Sequence, residues 1–327
     1  MARRKDYFVG IDLGGTSLRA MVVDPGYRIL GSEKVPTPTR EKARGTIVKI
    51  GDVVEEALRS AGVRHADVAV VSVGAPGAID VRRAIVKQAP NLGWANVRLG
   101  AELRRRLLVP VLVDNDVNVG MMGEHALGAG RGAKNLVGIF VGTGIGGAIL
   151  ISGRLFEGAS GGAGEIGHTV LMVNGPLCRC GHRGCAEALA SRTAMERDVR
   201  AAIQSGRKSV VLKIMKKKHH TRMTSSVIQA ALKKKDKVMQ EVLRRAQFYL
   251  GILAANAVNL LDPERVIIGG GIAGRLKEEF VGPIRETAYQ YLLHAGPDSG
   301  VKILPGKLGD DAGPLGAIVL ARQRLGL

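Results

Sequence analysis

The sequence predicts an α/β protein with mixed sheets, built from two similar halves around a cleft. In the first half, short β-rich runs alternate with amphipathic stretches in the order β-β-β-α-β-α-β. The second half begins again with a strand pair. In both halves a glycine- and threonine-containing turn separates the paired strands: residues 12–16 in the first half and 142–144 in the second. A pattern that recurs in this way indicates two related lobes.

The predicted elements of the first half follow from periodicity and turn signals. Ile47, Ile50, Val54 and Leu58 share one helical face, and Gly62 marks the end of that helix. The predicted strands are 7–11, 18–23, 29–35, 68–73 and 111–113, and the predicted helices are 42–61 and 100–107.

The second half contains an uncharged stretch, residues 135–153, that is long enough to span a membrane. Its glycines and Thr143 favour a strand, a turn and a second strand instead. The predicted strands are 136–141, 148–151, 266–268 and 301–304, and the predicted helices are 121–126, 239–261, 275–293 and 311–325.

Charge is the unusual feature of the composition. The 327 residues carry a formal net charge of +19, which favours an anionic partner such as polyphosphate, a phosphorylated metabolite or nucleic acid. Aromatic residues are only 3%, which argues against single-stranded nucleic acid, because bases need stacking platforms. Residues 206–237 form a basic segment, for which we expect helices with basic outer faces. Its cations are Arg207, Lys208, Lys213, Lys216, Lys217, Lys218, Arg222, Lys233, Lys234, Lys235 and Lys237.

All three cysteines lie in one short loop with a histidine: His168, Cys178, Cys180 and Cys185. Four such ligands with no open position are typical of a structural Zn²⁺ site. The alternative is three free thiols and an unrelated histidine. Three cysteines cannot form a closed disulfide framework, and available thiolates suit a reducing compartment, so we expect a cytoplasmic protein.

Three glycine-rich motifs are candidates for binding phosphate. In Asp12-Leu13-Gly14-Gly15-Thr16, backbone N–H groups and the Thr16 hydroxyl can contact phosphate, and Asp12 can hold Mg²⁺ through water. A plain hairpin turn is the alternative. Residues 142–147 and 269–274 both fit G-x-G-x-x-G, but their contexts do not suit a dinucleotide fold. Phosphate or nucleotide contact remains open for both.

Polar side chains follow the predicted strand 111–113, in Asp114-Asn115-Asp116-Val117-Asn118. A carboxylate there can accept a proton from a substrate hydroxyl, or the cluster can simply cap the next helix. Glu165 and Glu187 flank the cysteine loop. Two neighbouring carboxylates suit sugar hydroxyls, and ordinary surface charge is the alternative.

Taken together, these motifs resemble the ROK family of repressors and sugar kinases, and within it the glucokinases. The resemblance runs from Asp12 to about Ala317. It is carried by the motifs above together with Gly74-Ala75-Pro76-Gly77, Pro90-Asn91-Leu92-Gly93-Trp94, Glu165-Ile166-Gly167-His168 and Gly184-Cys185-Ala186-Glu187.

The resemblance implies an actin-like ATPase (ribonuclease H-like) fold with a structural zinc loop. It places a small lobe at residues 1–116 plus 308–327. The large lobe is 117–307, with the zinc loop at 168–187 and the basic segment at 206–237. It also implies ATP-dependent phosphorylation of a hexose at its 6-hydroxyl, with glucose as the leading substrate, and a homodimer or homotetramer.

The resemblance further implies a role for each matching residue. Asp116 matches the general base. The sugar-binding positions are Gly77, Asn91, Asn115, Glu165, His168 and Glu187. The phosphate and Mg²⁺ positions are Asp12, Gly14, Gly15 and Thr16 in the first loop and Gly142, Thr143 and Gly144 in the second. Gly269, Gly270 and Gly271 match the adenosine side, and His168, Cys178, Cys180 and Cys185 match the zinc ligands.

Several alternatives remain open. Fructose, N-acetylmannosamine or allose can replace glucose as acceptor, and polyphosphate can replace ATP as donor. A sugar-sensing regulator is the alternative from a different class. Regulators of this family carry a DNA-binding module before the kinase domain, and we expect none here because only residues 1–6 precede the first strand. We expect no membrane partner and do not expect nucleic acid. The basic segment is expected to be a solvated face, and the alternatives for it are a site for a polyphosphate donor or for non-specific nucleic-acid binding.

Overall fold

The computed structural model describes residues 6–38, 41–293 and 300–327. The chain divides into two compact units. Unit 1 contains the chain up to Arg131, together with Gly158–Gly162 and Asp310–Leu327, and unit 2 contains Gly132–Glu157 and Ala163–Gly309.

Unit 1 is built on a five-stranded mixed sheet in the order β3-β2-β1-β4-β8. The first three strands form an antiparallel meander, and β4 and β8 continue the sheet in parallel with β1. The strands are β1 (Tyr7–Leu13), β2 (Ser17–Val23), β3 (Ile29–Pro36), β4 (Val68–Ala75) and β8 (Val111–Asn115). The helices are α1 (Ala43–Ala61), α2 (Leu99–Leu107), α3 (Asp116–Leu127) and α11 (Ala312–Leu325).

A small antiparallel sheet in unit 1 was not predicted. It consists of β5 (Ala78–Asp80), β6 (Ile85–Ala89) and β7 (Trp94–Val97). These strands have five residues or fewer and are interrupted by charged and turn residues, so they carry little periodicity for sequence analysis to detect. The sheet begins directly after Gly77, whose φ is +94°.

Helices α3 and α11 pack closely within unit 1. A Cβ at Gly316 would lie 1.6 Å from the carbonyl oxygen of Val119, and one at Gly123 would lie 2.5 Å from that of Ala312. This backbone approach holds α3 in unit 1, so the first boundary falls after α3, at Arg131, rather than at residue 116.

Unit 2 repeats the arrangement of unit 1. Its five strands have the order β11-β10-β9-β12-β13, again with an antiparallel meander followed by two parallel strands. The strands are β9 (Leu136–Val141), β10 (Ile145–Ile151), β11 (Arg154–Leu155), β12 (Arg265–Gly269) and β13 (Lys302–Pro305). The predicted α/β class with two related halves is confirmed.

The uncharged stretch 135–153 forms the β9–β10 hairpin. Within the part of the chain that the structure describes, no helix has both the length and the apolarity that crossing a bilayer requires.

The helices of unit 2 pack around one long helix, α8, whose Leu250, Leu253 and Ala254 are buried. The helices are α4 (Ala186–Ala190), α5 (Arg192–Gln204), α6 (Val211–Lys217), α7 (Ser225–Lys233), α8 (Lys237–Leu261), α9 (Gly271–Leu276) and α10 (Glu278–Gln290). The prediction of one helix over 275–293 is wrong. Lys277 has a φ of +49°, which ends α9 and separates it from α10.

The basic segment forms helices α6 and α7, as predicted. Val211, Ile214 and Met215 of α6 are buried, and Val227, Ile228 and Ala231 of α7 are buried. All eleven arginines and lysines of the segment are exposed. Four of them, Lys213, Lys216, Lys217 and Lys233, lie on α6 and α7, and the other seven lie in the adjoining turns and at the start of α8.

Candidate active site

In unit 1, three parallel strands bring the predicted polar residues to one edge of the sheet. Asp12 in β1 pairs with Gly74 in β4, and Gly74 pairs with Asp114 in β8. Because the carboxyl ends of parallel strands meet at one edge, the turn after β1 and the residues after β8 lie at the same edge of the sheet, with the end of β4 between them.

The turn after β1 closes as a hairpin. The Gly14 N–H donates to Ser17 O at 2.9 Å, and this bond closes a hairpin as the plainer alternative predicted. Thr37 Oγ1 donates to Gly14 O at 2.7 Å and fixes the turn from β3. Gly15 lies beside Asn91, whose Cβ would be 3.5 Å from a Cβ at Gly15. A predicted phosphate residue and a predicted sugar residue therefore lie side by side in unit 1.

Asp12 is half-buried beneath the first turn of α11. A Cβ at Gly313 would lie 3.0 Å from its Cγ. Burial raises the pKa of Asp12 to about 6, and the negative charge of Asp310 adds to that, while Lys34 and Arg19 oppose it. These two cations are engaged elsewhere, Arg19 with Asp311 at 2.5 Å and Lys34 with Asp310 at 2.8 Å. The Asp12 carboxylate therefore lacks full compensation, which is the environment that a bound cation stabilises.

The polar cluster after β8 divides into structural and exposed groups. Asp114 is 2% exposed and accepts hydrogen bonds from Arg324 at 2.6 Å and from Asn118 at 2.9 Å. Asn115 caps α3, since its Oδ1 accepts from Val117 N at 2.8 Å. This cap starts α3 at Asp116, five residues before the predicted start at 121.

The other groups of this cluster face the small sheet and the solvent. The Asn115 side-chain amide donates to Gly77 O at 3.1 Å, which joins two predicted sugar positions. Asp116 is half-buried, and its Oδ1 accepts from Val117 N at 3.0 Å. Asp114 is thus committed to the fold, whereas Asp116 stands at the first residue of α3 with its carboxylate partly in solvent.

In unit 2, the two remaining glycine motifs meet at one sheet edge. β9 and β12 are parallel, and Gly269 pairs with Phe140. Gly270 has a φ of +89°, and a Cβ there would lie 2.4 Å from Val141 O. Only glycine permits this approach, so Gly270 lies against Val141, the residue that precedes the turn at residues 142–144.

The start of α5 holds the turn at residues 142–144. Arg192 Nη2 donates to Thr143 Oγ1 at 2.7 Å, and Thr193 Oγ1 donates to Thr143 O at 2.7 Å. The Arg192 N–H donates to Gly142 O at 3.0 Å. Sequence analysis did not single out Arg192 or Thr193, because neither lies in a motif and their partner is some 50 residues away.

The cysteine loop gathers its predicted ligands into one cluster. The ligand atoms of His168, Cys178, Cys180 and Cys185 all lie within 4.8 Å of one another. Cys180 Sγ and Cys185 Sγ are 3.7 Å apart, and Cys178 Sγ is 3.6 Å from His168 Nδ1. A tetrahedral Zn²⁺ with sulfur ligands at about 2.3 Å requires ligand separations of about 3.6–3.8 Å. The donor set and its spacing therefore fit zinc.

The thiols of this cluster differ in their surroundings. Burial raises the pKa of Cys178 to about 12 and also raises that of Cys185. The backbone N–H of His182 is the main cause that lowers the pKa of Cys180 to about 6. Buried thiolates at 178 and 185 need a cation beside them. His182, which the sequence analysis did not consider, has its Nδ1 3.5 Å from Cys180 Sγ but lies outside the four-ligand group.

The two glutamates beside the cluster occupy different positions. Glu187 Oε2 accepts from Ile145 N at 3.0 Å, and its Oε1 is 3.7 Å from Cys178 Sγ. Glu165 is exposed, and its carboxylate lies 4.0 Å from His168 Nε2. His168 therefore faces the cysteines through Nδ1 and Glu165 through Nε2.

The comparisons with known proteins agree with this set of motifs. The model of the ROK family matches residues 8–324. The chain belongs to the ROK family. It is 32% identical to a glucokinase of Halalkalibacterium halodurans over 97% of this chain and 96% of that protein. It is also 30% identical to a xylose repressor of Caldicellulosiruptor bescii, over 95% of this chain and 77% of the repressor.

A ROK glucokinase structure from Streptomyces griseus, in complex with glucose and AMPPNP, has a similar fold. It superposes with a TM-score of 0.85 at 33% identity and covers 97% of this chain and 99% of that chain. The predicted actin-like ATPase fold of the ROK family is thereby confirmed.

Proposed function

We propose that this ROK protein transfers the γ-phosphoryl group of ATP to the 6-hydroxyl of a hexose, with glucose as the preferred acceptor. The prediction of a sugar kinase is confirmed by its glucokinase relatives. The observation that carries the proposal is the placement of Asp116 at the same edge of the unit 1 sheet as Asp12 and the turn that follows it.

In the proposed reaction, Asp116 accepts the proton of the attacking hydroxyl. Phosphoryl transfer asks the protein mainly for alignment and charge neutralisation, so a positioned carboxylate near the acceptor suffices as base. Gly77, Asn91 and Asn115 of unit 1 orient the sugar. Glu165, His168 and Glu187 of unit 2 bind further hydroxyls.

The donor is proposed to bind through the glycine turns. In unit 1, the Gly15 N–H and the Thr16 hydroxyl contact phosphate, since Gly14 uses its N–H within the hairpin. In unit 2, Gly142, Thr143 and Gly144 contact phosphate, and Gly269, Gly270 and Gly271 lie beside the adenosine. Asp12 would hold Mg²⁺ through water, and the ion would neutralise phosphate charge when bound.

Zinc is proposed to act structurally. His168, Cys178, Cys180 and Cys185 would complete a tetrahedron and leave no position for a substrate. Nδ1 of His168 would be the ligand, which fixes the ring and presents Nε2 toward the sugar.

An assay of ADP release with MgATP tests the proposal across glucose, mannose, fructose, allose and N-acetylmannosamine. We expect selective turnover of glucose. If only another sugar were phosphorylated, that sugar would replace glucose as the proposed acceptor. Absence of ADP release with every sugar, while sugar binding is still measurable, would contradict the kinase and favour a sugar-sensing regulator, the class of the xylose repressor relative.

A second donor is supported by the basic segment. Eleven exposed cations on and around α6 and α7 form a surface that attracts polyanions, so polyphosphate is the alternative donor. The same assay with polyphosphate in place of ATP, followed through glucose 6-phosphate, separates the two. A homodimer or homotetramer in the cytoplasm completes the proposal, and light scattering tests the assembly.

A further inference from the structure

Arg192 lies beside the turn at residues 142–144 but is not among the residues proposed above to bind the donor. It is the first residue of α5, and its guanidinium is half-buried against the turn at residues 142–144. Nη2 donates to Thr143 Oγ1 at 2.7 Å. An arginine is thus in direct contact with the hydroxyl of a predicted phosphate-binding residue.

The positive charge of the Arg192 guanidinium is only partly compensated by the carboxylate nearby. Among residues 6–38, 41–293 and 300–327, no carboxylate forms an ion pair with it. Glu196, one turn along α5, is already occupied: its Oε1 accepts from Arg200 at 2.8 Å and its Oε2 from Arg222 at 3.2 Å. Burial lowers the pKa of Arg192, and the nearby cation of Arg222 lowers it further, while Glu196 opposes both. This region therefore carries excess positive charge that an anion would stabilise.

Arg192 also determines where the Thr143 hydroxyl can donate. The oxygen of this hydroxyl accepts from Arg192, and a guanidinium offers only donors. The hydroxyl proton must therefore point away from Arg192. The carbonyl of Thr143 is fixed as well, since Thr193 Oγ1 donates to it at 2.7 Å. Thr143 is held as a preoriented donor beside a cation.

We propose that Arg192 binds a terminal phosphate oxygen of the donor and orients the Thr143 hydroxyl toward the same phosphate group. The inference rests on the proposed function, because the ligand it assigns is the nucleotide of that reaction. It adds the cationic side chain that the glycine turns lack. Arginine suits this role because its planar donors bind two phosphate oxygens at once.

One residue of the basic segment, Arg222, contributes to the proposed phosphate site. Arg222 contacts both Glu196 and Thr193, the latter through Nη2 at 3.2 Å. It therefore keeps Glu196 away from Arg192 and adds its own charge to the region. Arg222 supports the anion site from outside, since its side chain is 53% exposed.

Isothermal titration with MgATP and with adenosine tests the inference, in the full chain and without sugar. Arg192→Gln should weaken MgATP binding by about 10- to 100-fold, the range of a charge-assisted contact. Adenosine binding should change by less than about twofold, because adenosine has no phosphate. Arg192→Lys should recover part of the loss. Arg197→Gln is the matched control: it removes the same charge from the exposed face of α5 and should change neither affinity.

Equal MgATP affinity in Arg192→Gln and Arg197→Gln would overturn the inference. Equal losses of MgATP and adenosine affinity in Arg192→Gln would also overturn it. So would the finding that the wild-type chain does not bind MgATP. Wild-type MgATP binding without turnover of any sugar would instead contradict the proposed function alone. If Arg192→Gln fails to fold, the same titrations of Thr143→Val test the inference. This variant should weaken MgATP selectively, and an unchanged affinity would overturn the inference.

Discussion

Glu187 Oε2 accepts a hydrogen bond from the backbone N–H of Ile145 at 3.0 Å. This bond links the loop of candidate metal ligands to the glycine turn that precedes Ile145. A Cβ at Gly144 would lie 2.2 Å from the same carboxylate oxygen, so the turn and the carboxylate are in close contact. The other oxygen of Glu187 lies 3.7 Å from Cys178 Sγ. The proposed zinc and nucleotide sites of unit 2 are therefore connected through one side chain.

Removal of the Glu187 carboxylate should affect both stability and donor binding. Glu187→Ala leaves the Ile145 N–H without its acceptor, and we expect the free energy of unfolding to fall by about 1.5–3 kcal/mol. Glu187→Gln keeps an acceptor oxygen and should lose less. The KM for ATP should rise in Glu187→Ala, because the turn is no longer held. Urea denaturation and steady-state kinetics measure the two effects, and wild-type stability in Glu187→Ala would contradict this account.

The proposed zinc site predicts a metal content of one zinc ion per chain. Cys185→Ser should lose the metal and lower the melting temperature, since structural zinc contributes directly to folding. His182→Ala is the matched control because His182 contacts Cys180 without belonging to the four-ligand group. Elemental analysis and thermal melting decide the question. If His168→Ala retained zinc and His182→Ala lost it, the fourth ligand would be His182 rather than His168.

The two aspartates that flank Asn115 should respond differently to amidation. Asp116→Asn should lower kcat by about 10²- to 10⁴-fold, the usual contribution of a general base. Its glucose affinity should change little. Asp114→Asn should instead lower stability, because the buried Asp114 pairs with Arg324. Kinetics, glucose titration and melting separate the outcomes, and near-normal turnover by Asp116→Asn would remove it from the role of base.

The lowered pKa of Glu196 predicts that the free energy of unfolding depends on pH. Burial alone would raise its pKa, but hydrogen bonds from the Met223 N–H, Arg200 and Arg222 outweigh burial and lower it. A carboxylate with a lowered pKa stabilises the fold above its unfolded-state pKa, and that stability is lost as the pH falls through the lower folded value. Glu196→Gln should therefore cost about 1–3 kcal/mol at pH 7 and progressively less as the pH falls below about 4.

The exposed pair of Glu241 and Arg207 provides the control for Glu196. Glu241→Gln should leave the free energy of unfolding almost unchanged at any pH, because solvent screens an exposed ion pair. Urea denaturation from pH 3 to pH 7 measures both variants. A deficit in Glu196→Gln that stays constant over this range would show that its charge is not the cause.

The sequence was sufficient for features that depend on local patterns. Hydrophobic runs and turn residues located all five strands of the larger unit 1 sheet and four of the five in unit 2, but not the two-residue strand β11. The chance of finding three cysteines and a histidine in one loop is low enough to predict their cluster. The break at Lys277 was missed because a positive φ in lysine has no sequence signature. The start of α3 was placed late because Asp116 to Asn118 read as a polar loop, whereas the Asn115 side chain caps the helix.

Contacts over long sequence separations account for most of what the sequence could not predict. Arg192 meets Thr143 only because α4 and α5 return to the end of β9, and nothing near residue 192 signals that approach. The commitment of Asp114 to Arg324 joins residues 210 positions apart. The residue types alone therefore predict a polar cluster without separating the structural Asp114 from the proposed catalytic Asp116, and only the family resemblance assigns the base to Asp116.

The central claim is the transfer of a phosphoryl group from ATP to the 6-hydroxyl of glucose. Phosphorus-31 NMR of the purified protein with glucose and MgATP tests it most directly, because it identifies both products and the position of the new ester. We predict glucose 6-phosphate and ADP in equal amounts, with neither formed by Asp116→Asn. Absence of any sugar phosphate while glucose binding is measurable, or an ester at another hydroxyl, would contradict the account.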